Sequence, residues 1–137
     1  MMCNTEDLFG IETVNSCQFF TGVPDSLLSE FIKSLDSLDD VLHVPAVNEA
    51  HAVSIAFGAM LAGKDACVYL QNSCLGKIIN PLTRLCIPSK VFPFLIIGHR
   101  HTLSQHKIMG EIDADLMDLL SYPKDRYAIV SGSNNEK

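Results

Sequence analysis

The chain has 137 residues, of which 47% are hydrophobic, 19% charged and 7% aromatic, and its 16 acidic and 10 basic side chains give a formal net charge of −6. That length supports one domain with a real core and leaves no room for two full domains. An acidic chain lacks the basic face that a phosphate backbone demands, so nucleic-acid binding is disfavoured. Its longest apolar stretches, such as Val91–Gly98, fall well short of the ~20 residues needed to span a bilayer.

In chain order, Met1 to Asp7 carry neither a basic region nor an apolar core, so no secretion signal is expected and the cytoplasm is the expected compartment. Cys17–Phe20 reads as a strand, ended by Thr21-Gly22-Val23-Pro24. Asp25-Ser26 then caps a helix running to about Leu38, with Leu27, Leu28, Phe31, Ile32 and Leu35 at helical spacing. Val41–Val47 is a second strand, and Pro45 makes it short or places it at a sheet edge. Asn48 caps a helix to Gly63 whose body, Ala50–Ala62, is apolar on nearly every side and is expected to be buried. Cys67–Gln71 is the third strand, followed by Asn72-Ser73 and a helix to about Leu85. Val91–Gly98, a helix near Lys107–Leu120 and a last strand at Tyr127–Val130 complete the domain, expected over residues 5–130, with 131–137 as a polar tail.

Alternating strands and helices need crossover connections, so the fold class is α/β, a three-layer sandwich around a mainly parallel sheet. In such sheets functional groups gather at the carboxyl ends of the strands. That rule selects Gly22–Ser26, Asn48–His51, Gln71–Gly76 and His99–His106.

Glu49 opens the most apolar helix. A carboxylate there is either a charge favoured by the helix dipole or, among Ala50, Ala52 and Val53, a desolvated group suited to proton transfer. Gln71 to Gly76 follows a buried strand and opens a helix, where amides can bind an anion, although Asn72 and Ser73 also suit plain helix caps. His99, His101 and His106 match no standard zinc spacing, so no metal ligands are assigned and a loop for a polar or anionic substrate is the better reading. No GxSxG nucleophile elbow is present. The five cysteines are odd in number with no CxxC pair, against a disulfide framework, and Cys17, Cys67 and Cys86 sit among apolar neighbours.

Four segments together, Phe20 to Leu28, Asn48-Glu49-Ala50, Tyr69 to Ser73 and Ile79-Asn80-Pro81-Leu82-Thr83, occur in an order and spacing that resembles one family. It is the pyrimidine-binding domain of thiamine-diphosphate-dependent decarboxylases of the phosphonopyruvate and sulfopyruvate group, and the resemblance covers residues 5–120. It implies that Glu49 hydrogen-bonds the ring nitrogen of the cofactor's aminopyrimidine and favours the imino tautomer, which deprotonates the thiazolium carbon. The resulting ylide attacks the 2-oxo carbon and CO2 leaves. It implies proton handling for Asp25 and substrate contact or proton relay for His106. On the same resemblance, Glu49, Asn72 and Pro24 are expected to face the cofactor. Asn72, Ser73, Gln105, Arg100 and Lys77 are expected to face the substrate, the two cations meeting its second acidic group.

The family usually has glycine where this chain has Cys74 and asparagine where it has Lys77, and His51 also departs from its pattern, which bears on substrate choice. Such enzymes hold the cofactor diphosphate and Mg²⁺ through a Gly-Asp-Gly motif, and this chain has none. The resemblance therefore implies a partner, a beta subunit carrying the diphosphate-binding domain and most of the Mg²⁺ ligands, in a hetero-oligomer with sites at subunit interfaces. A piece of a longer enzyme is the alternative, and the polar tail favours a natural end. Among functions, the lead is the alpha subunit of a split 2-oxo acid decarboxylase. A thiamine-dependent carboligase subunit and a non-catalytic partner subunit stand beside it.

Overall fold

The computed structural model describes residues 2–132. Six strands form one sheet in the order β1-β6-β5-β4-β2-β3, with every pairing parallel. They are β1 (Met2–Asn4), β2 (Phe19–Gly22), β3 (Leu42–Pro45), β4 (Ala66–Gln71), β5 (Phe94–Gly98) and β6 (Tyr127–Ser131). The helices are α1 (Glu12–Ser16), α2 (Ser29–Leu35), α3 (Glu49–Leu61), α4 (Leu75–Pro81), α5 (Ile87–Ser89) and α6 (Lys107–Leu119). Alternation along the strands sorts the core into two layers. Val68, Leu70, Leu95 and Ile97 meet α3, α4 and α6, while Cys67, Tyr69, Phe94 and Ile96 meet α1 and α2 through Val14, Phe31, Ile32 and Leu35. The three-layer α/β sandwich expected from the sequence is the fold observed.

Several element bounds differ from the sequence expectation. The first expected strand lies two residues later, at Phe19–Gly22, because Thr21 and Gly22 pair with Val44 and Pro45 on one side and with Val68 and Tyr69 on the other. Only Gly22 fits there, since a Cβ would stand 2.2 Å from the carbonyl oxygen of Tyr69. The expected helix from Asp25 to Leu38 is a 3-10 turn, Ser26–Leu28, followed by α2, and Asp25 makes no capping hydrogen bond. β5 begins at Phe94, after Pro93, whose carbonyl accepts from the Tyr122 hydroxyl. Pro81 closes α4 and a π-turn, Leu82–Cys86, leads into α5. β1 and α1 are elements that the sequence patterning does not reveal. Ser131 extends β6, and residues 133–137 of the expected tail lie outside the described residues.

α3 is a further correction. Asn48 caps it as expected, its side chain accepting from the amide of His51 at 2.9 Å. It is not buried on nearly every side, however: only the stripe of Glu49, Ala52, Val53 and Ala56 is covered, while His51, Ser54, Gly58 and Leu61 are exposed. A single sheet and its neighbouring helices cover only one side of a peripheral helix. β3, for which Pro45 left a short strand or an edge position as the alternatives, is both, four residues long and at the sheet edge.

The strand order changes direction between β2 and β4. From β2 the chain steps outward to β3, then returns across to β4 and continues through β5 to β6. Such a reversal opens a crevice at the carboxyl ends of β2 and β4, the place where α/β sheets bind ligands.

Candidate active site

The turns after β2, β3, β4 and β5 all lie on the carboxyl edge of the sheet, around this crevice. Two charged pairs organise it. Arg100, just past β5, donates from Nη2 to Asp25 Oδ1 at 2.9 Å and to the Ser26 hydroxyl, and the side chains of Arg100 and Asp25 are 6% and 7% exposed. Glu49, in the first turn of α3, is 7% exposed and pairs with Lys77 of α4, Nζ to Oε2 at 3.6 Å, the lysine side chain being 63% exposed. The Glu49 carboxylate thus has a cation beside it and is largely shielded from solvent.

Cys74 lies beside the second of these pairs. Burial and a hydrogen bond with Glu49 push its thiol above the ordinary cysteine range, while Ser73 and Lys77 pull it the other way. Its Sγ lies 3.7 Å from the Ser73 hydroxyl, which in turn accepts from Gln71 Nε2 at 2.6 Å.

Asn72 is fully buried and acts as neither N-cap nor surface polar residue. Its Nδ2 donates to the carbonyl oxygen of Arg100 at 2.9 Å and to Asp113 Oδ2 at 3.0 Å. His99 Nδ1 meets the same Asp113 oxygen at 2.5 Å, and the His99 and His101 rings stack with centroids 4.7 Å apart. Among the described residues, Asn72 Oδ1, Asp25 Oδ2 and His106 Nδ1 are buried polar atoms with no hydrogen-bond partner. Buried acceptors left in this way are uncommon in native proteins and mark places where a ligand or water completes the pairing.

The residues singled out in the sequence are therefore partly united. Asp25 joins Arg100, Glu49 joins Lys77 and Cys74, and Asn72 is tied to the loop that carries Arg100. Pro24, Ser73 and Gln105 are exposed, and His106 is half-buried at the start of α6, where its carbonyl accepts from Gly110. His51 faces a groove of ≈ 600 Å³ with Asn48, Ser54, Asn80, Pro81 and Arg84, beside the Glu49 end of α3. Among the described residues, no three His, Cys, Asp or Glu side chains are grouped to hold a metal ion.

Asp113 and the roles of Ser26 and His99 escape the sequence. The signal for Asp113 is its place on α6 between Gly110 and Met117, three and four residues away on one helical face. Met117 is fully buried, and a Cβ on Gly110 would stand 2.4 Å from the Cβ of His101, so that face is pressed against the site.

A parallel three-layer α/β domain with buried carboxylates beside its switch point has the architecture in which α/β sheets bind ligands. No protein-family model matches the chain. The chain is 32% identical over 113 residues to the sulfopyruvate decarboxylase subunit alpha of Methanocaldococcus jannaschii, across 80% of this chain and 67% of that subunit. It is 33% identical over 94 residues to the corresponding subunit of Methanococcus maripaludis, across 69% of this chain and 56% of that one. Phosphonopyruvate decarboxylase of Streptomyces viridochromogenes is 36% identical over 103 residues, 72% of this chain and 26% of that enzyme. The matched part is thus about a quarter of the phosphonopyruvate enzyme's length. The chain belongs to the family of sulfopyruvate decarboxylase alpha subunits and phosphonopyruvate decarboxylases.

Proposed function

We propose that this chain is the alpha subunit of a split, thiamine-diphosphate-dependent decarboxylase of anionic 3-substituted pyruvates of the sulfopyruvate or phosphonopyruvate type, working in the cytoplasm. The observation that carries the reading is Glu49, a buried carboxylate at the N-terminus of α3 beside the switch point. Likeness to three sulfopyruvate decarboxylase alpha subunits supports it.

The residues present fit the pyrimidine half of the cofactor. An aminopyrimidine brings N–H donors and ring-nitrogen acceptors. The site holds the Glu49 carboxylate and two buried acceptors without donors, Asn72 Oδ1 and Asp25 Oδ2. When bound, thiamine diphosphate supplies the nucleophilic carbon and the electron sink that loss of CO2 from a 2-oxo acid requires.

The chain's own residues then have separate tasks. Glu49 holds a proton at the pyrimidine ring nitrogen, a role suited to a carboxyl shielded from water. Asp25 handles a proton through Oδ2, its other oxygen being held by Arg100. Lys77, largely exposed beside Glu49, offers an ammonium to the second acidic group of the substrate, with exposed Ser73 in the turn after β4 and exposed Gln105 in the turn after β5 as further polar contacts. His106 contacts substrate or relays protons at the head of α6. The diphosphate and Mg²⁺ are assigned to a beta subunit with a Gly-Asp-Gly motif, and the uncovered side of α3 at Leu61, with half-exposed Phe57 and Met60, suits a subunit contact.

The test combines the chain with that partner, thiamine diphosphate and Mg²⁺, then adds sulfopyruvate or phosphonopyruvate and measures CO2. Cofactor binding without CO2 release from either acid would overturn the substrate assignment. Glu49→Gln is expected to abolish proton exchange at the cofactor's reactive carbon while leaving the fold intact. Exchange at the wild-type rate in that variant would overturn the role of Glu49.

A further inference from the structure

Asp113 is 3% exposed, in the middle of α6, and its carboxylate spends both oxygens as acceptors. Oδ1 accepts from the amide of Ala114 at 2.7 Å, and Oδ2 is shared by Asn72 Nδ2 and His99 Nδ1. A buried carboxylate placed against an amide and an imidazole is fully satisfied only when both of those groups donate to it. The Asn72 side chain can therefore lie one way only. Its amino group is consumed by Asp113 and by the Arg100 carbonyl, and its oxygen is left buried without a partner among the described residues. The same logic places a proton on His99 Nδ1.

We propose that Asp113 is a positioning residue that sets the hydrogen-bond polarity of the site, presenting Asn72 as an acceptor for an N–H donor of the bound cofactor and fixing the proton of His99 on Nδ1. The ligand part of this proposal rests on the cofactor reading above. It divides the labour at Asn72: a sulfonate, a carboxylate or a fully ionised phosphonate offers only acceptors, so the anionic end of the substrate is met elsewhere and the Asn72 oxygen meets the pyrimidine amine. The close seat of α6 at Gly110, where a Cβ would stand 2.9 Å from the Arg100 carbonyl oxygen, holds Asp113 one turn away in register with both partners. Two turns of the site, after β4 and after β5, and helix α6 are thereby fastened at one carboxylate.

The tautomer is read by long-range proton–nitrogen NMR correlations on the histidine rings of the chain itself. His99 is expected to carry its proton on Nδ1, and Asp113→Asn, checked for fold by circular dichroism, is expected to lose that preference. A wild-type His99 protonated on Nε2 alone, or the same tautomer in Asp113→Asn, overturns the role of Asp113 without reference to any ligand. The ligand part is read by calorimetry on the assembled protein with Mg²⁺, comparing thiamine diphosphate with the analogue whose pyrimidine amine is replaced by an oxo group. The amine form is expected to bind roughly tenfold more tightly, as one hydrogen bond to a buried acceptor implies, and the ratio is expected to fall several-fold in Asn72→Ser. Equal affinities in the wild type, or an unchanged ratio in Asn72→Ser, overturn the assignment of Asn72. Failure of the assembled wild type to bind either compound overturns the cofactor reading itself, and the His99 measurement then decides the role of Asp113.

Discussion

Arg100 and Asp25, 75 residues apart in the chain, form a buried ion pair at 2.9 Å that locks the turn after β5 to the turn after β2. Arg100 also donates to the Ser26 hydroxyl, and its backbone carbonyl is the anchor for Asn72. One residue thus holds three segments of the site. Its cation is compensated within the chain, which leaves Lys77 as the more exposed cation beside the crevice.

Removal of one member of a buried pair leaves the other charge without compensation. Arg100→Leu is expected to lower stability by about 3–5 kcal/mol, and Asp25→Asn by less, since an amide oxygen still accepts from the guanidinium. Urea unfolding followed by circular dichroism measures both. A loss within about 0.5 kcal/mol for Arg100→Leu, the size of a surface change, would contradict the burial of the pair.

Gly98 gives the Asp25 carboxylate its place, because a Cβ there would stand 3.1 Å from Oδ2. Gly98→Ala is expected to displace that carboxylate and weaken ligand binding while costing about 1 kcal/mol of stability, since the neighbour shifts by only a few tenths of an ångström. Gly22→Ala meets both the Tyr69 carbonyl oxygen, at 2.2 Å, and the buried Tyr69 ring, at 2.4 Å, and is expected to cost about 3 kcal/mol. Thermal unfolding of the two variants ranks them, and the reverse order would refute the account.

The environment of Cys74 predicts its reactivity. Burial comes first and Glu49 next among the influences that raise its thiol, with Ser73 and Lys77 acting against them. Only the thiolate is alkylated, so Glu49→Gln is expected to speed labelling of Cys74 by iodoacetamide several-fold at about pH 8, and Lys77→Met to slow it. Mass spectrometry of the Cys74 peptide follows the rates. Equal rates in all three proteins would show that Cys74 is not governed by this carboxylate.

Stability is expected to fall at alkaline pH. Burial raises the Cys67 thiol well above its ordinary value, Cys86 to about 11 from 9.0, and the Tyr69 hydroxyl to about 12 from 10.0. Between the ordinary and the folded values the unfolded chain has released protons that the folded chain keeps. The unfolded state then binds fewer protons, so the free energy of unfolding decreases as pH rises. The urea midpoint should decline from about pH 9 upward, and a midpoint that stays level to about pH 11 would contradict the burial of these groups.

Much of the architecture is legible in the chain because it depends on local pattern. The cap at Asn48, the short edge strand signalled by Pro45 and the apolar runs of β4 and β5 follow from residue type and spacing. Glu49, Asp25 and Asn72 stand out for the same reason, as polar residues where short apolar runs give way to helices. The end of β2 does not, since Gly22 reads as a turn until Tyr69 and Pro45 are found on either side of it.

The sequence by itself determined the alternation of strands and helices, the parallel sheet and the family, all of which rest on contacts or motifs within short stretches of chain. Only the tertiary structure decided the pairing of charges: Arg100 with Asp25, Lys77 with Glu49, and Asp113 with both Asn72 and His99. A carboxylate on a helix reads as a solvated charge whatever its fate, because burial is imposed by elements distant in sequence. Asp113, 41 residues from Asn72, becomes a hydrogen-bond acceptor at the site only when α6 seats on Gly110 against the loop beyond β5.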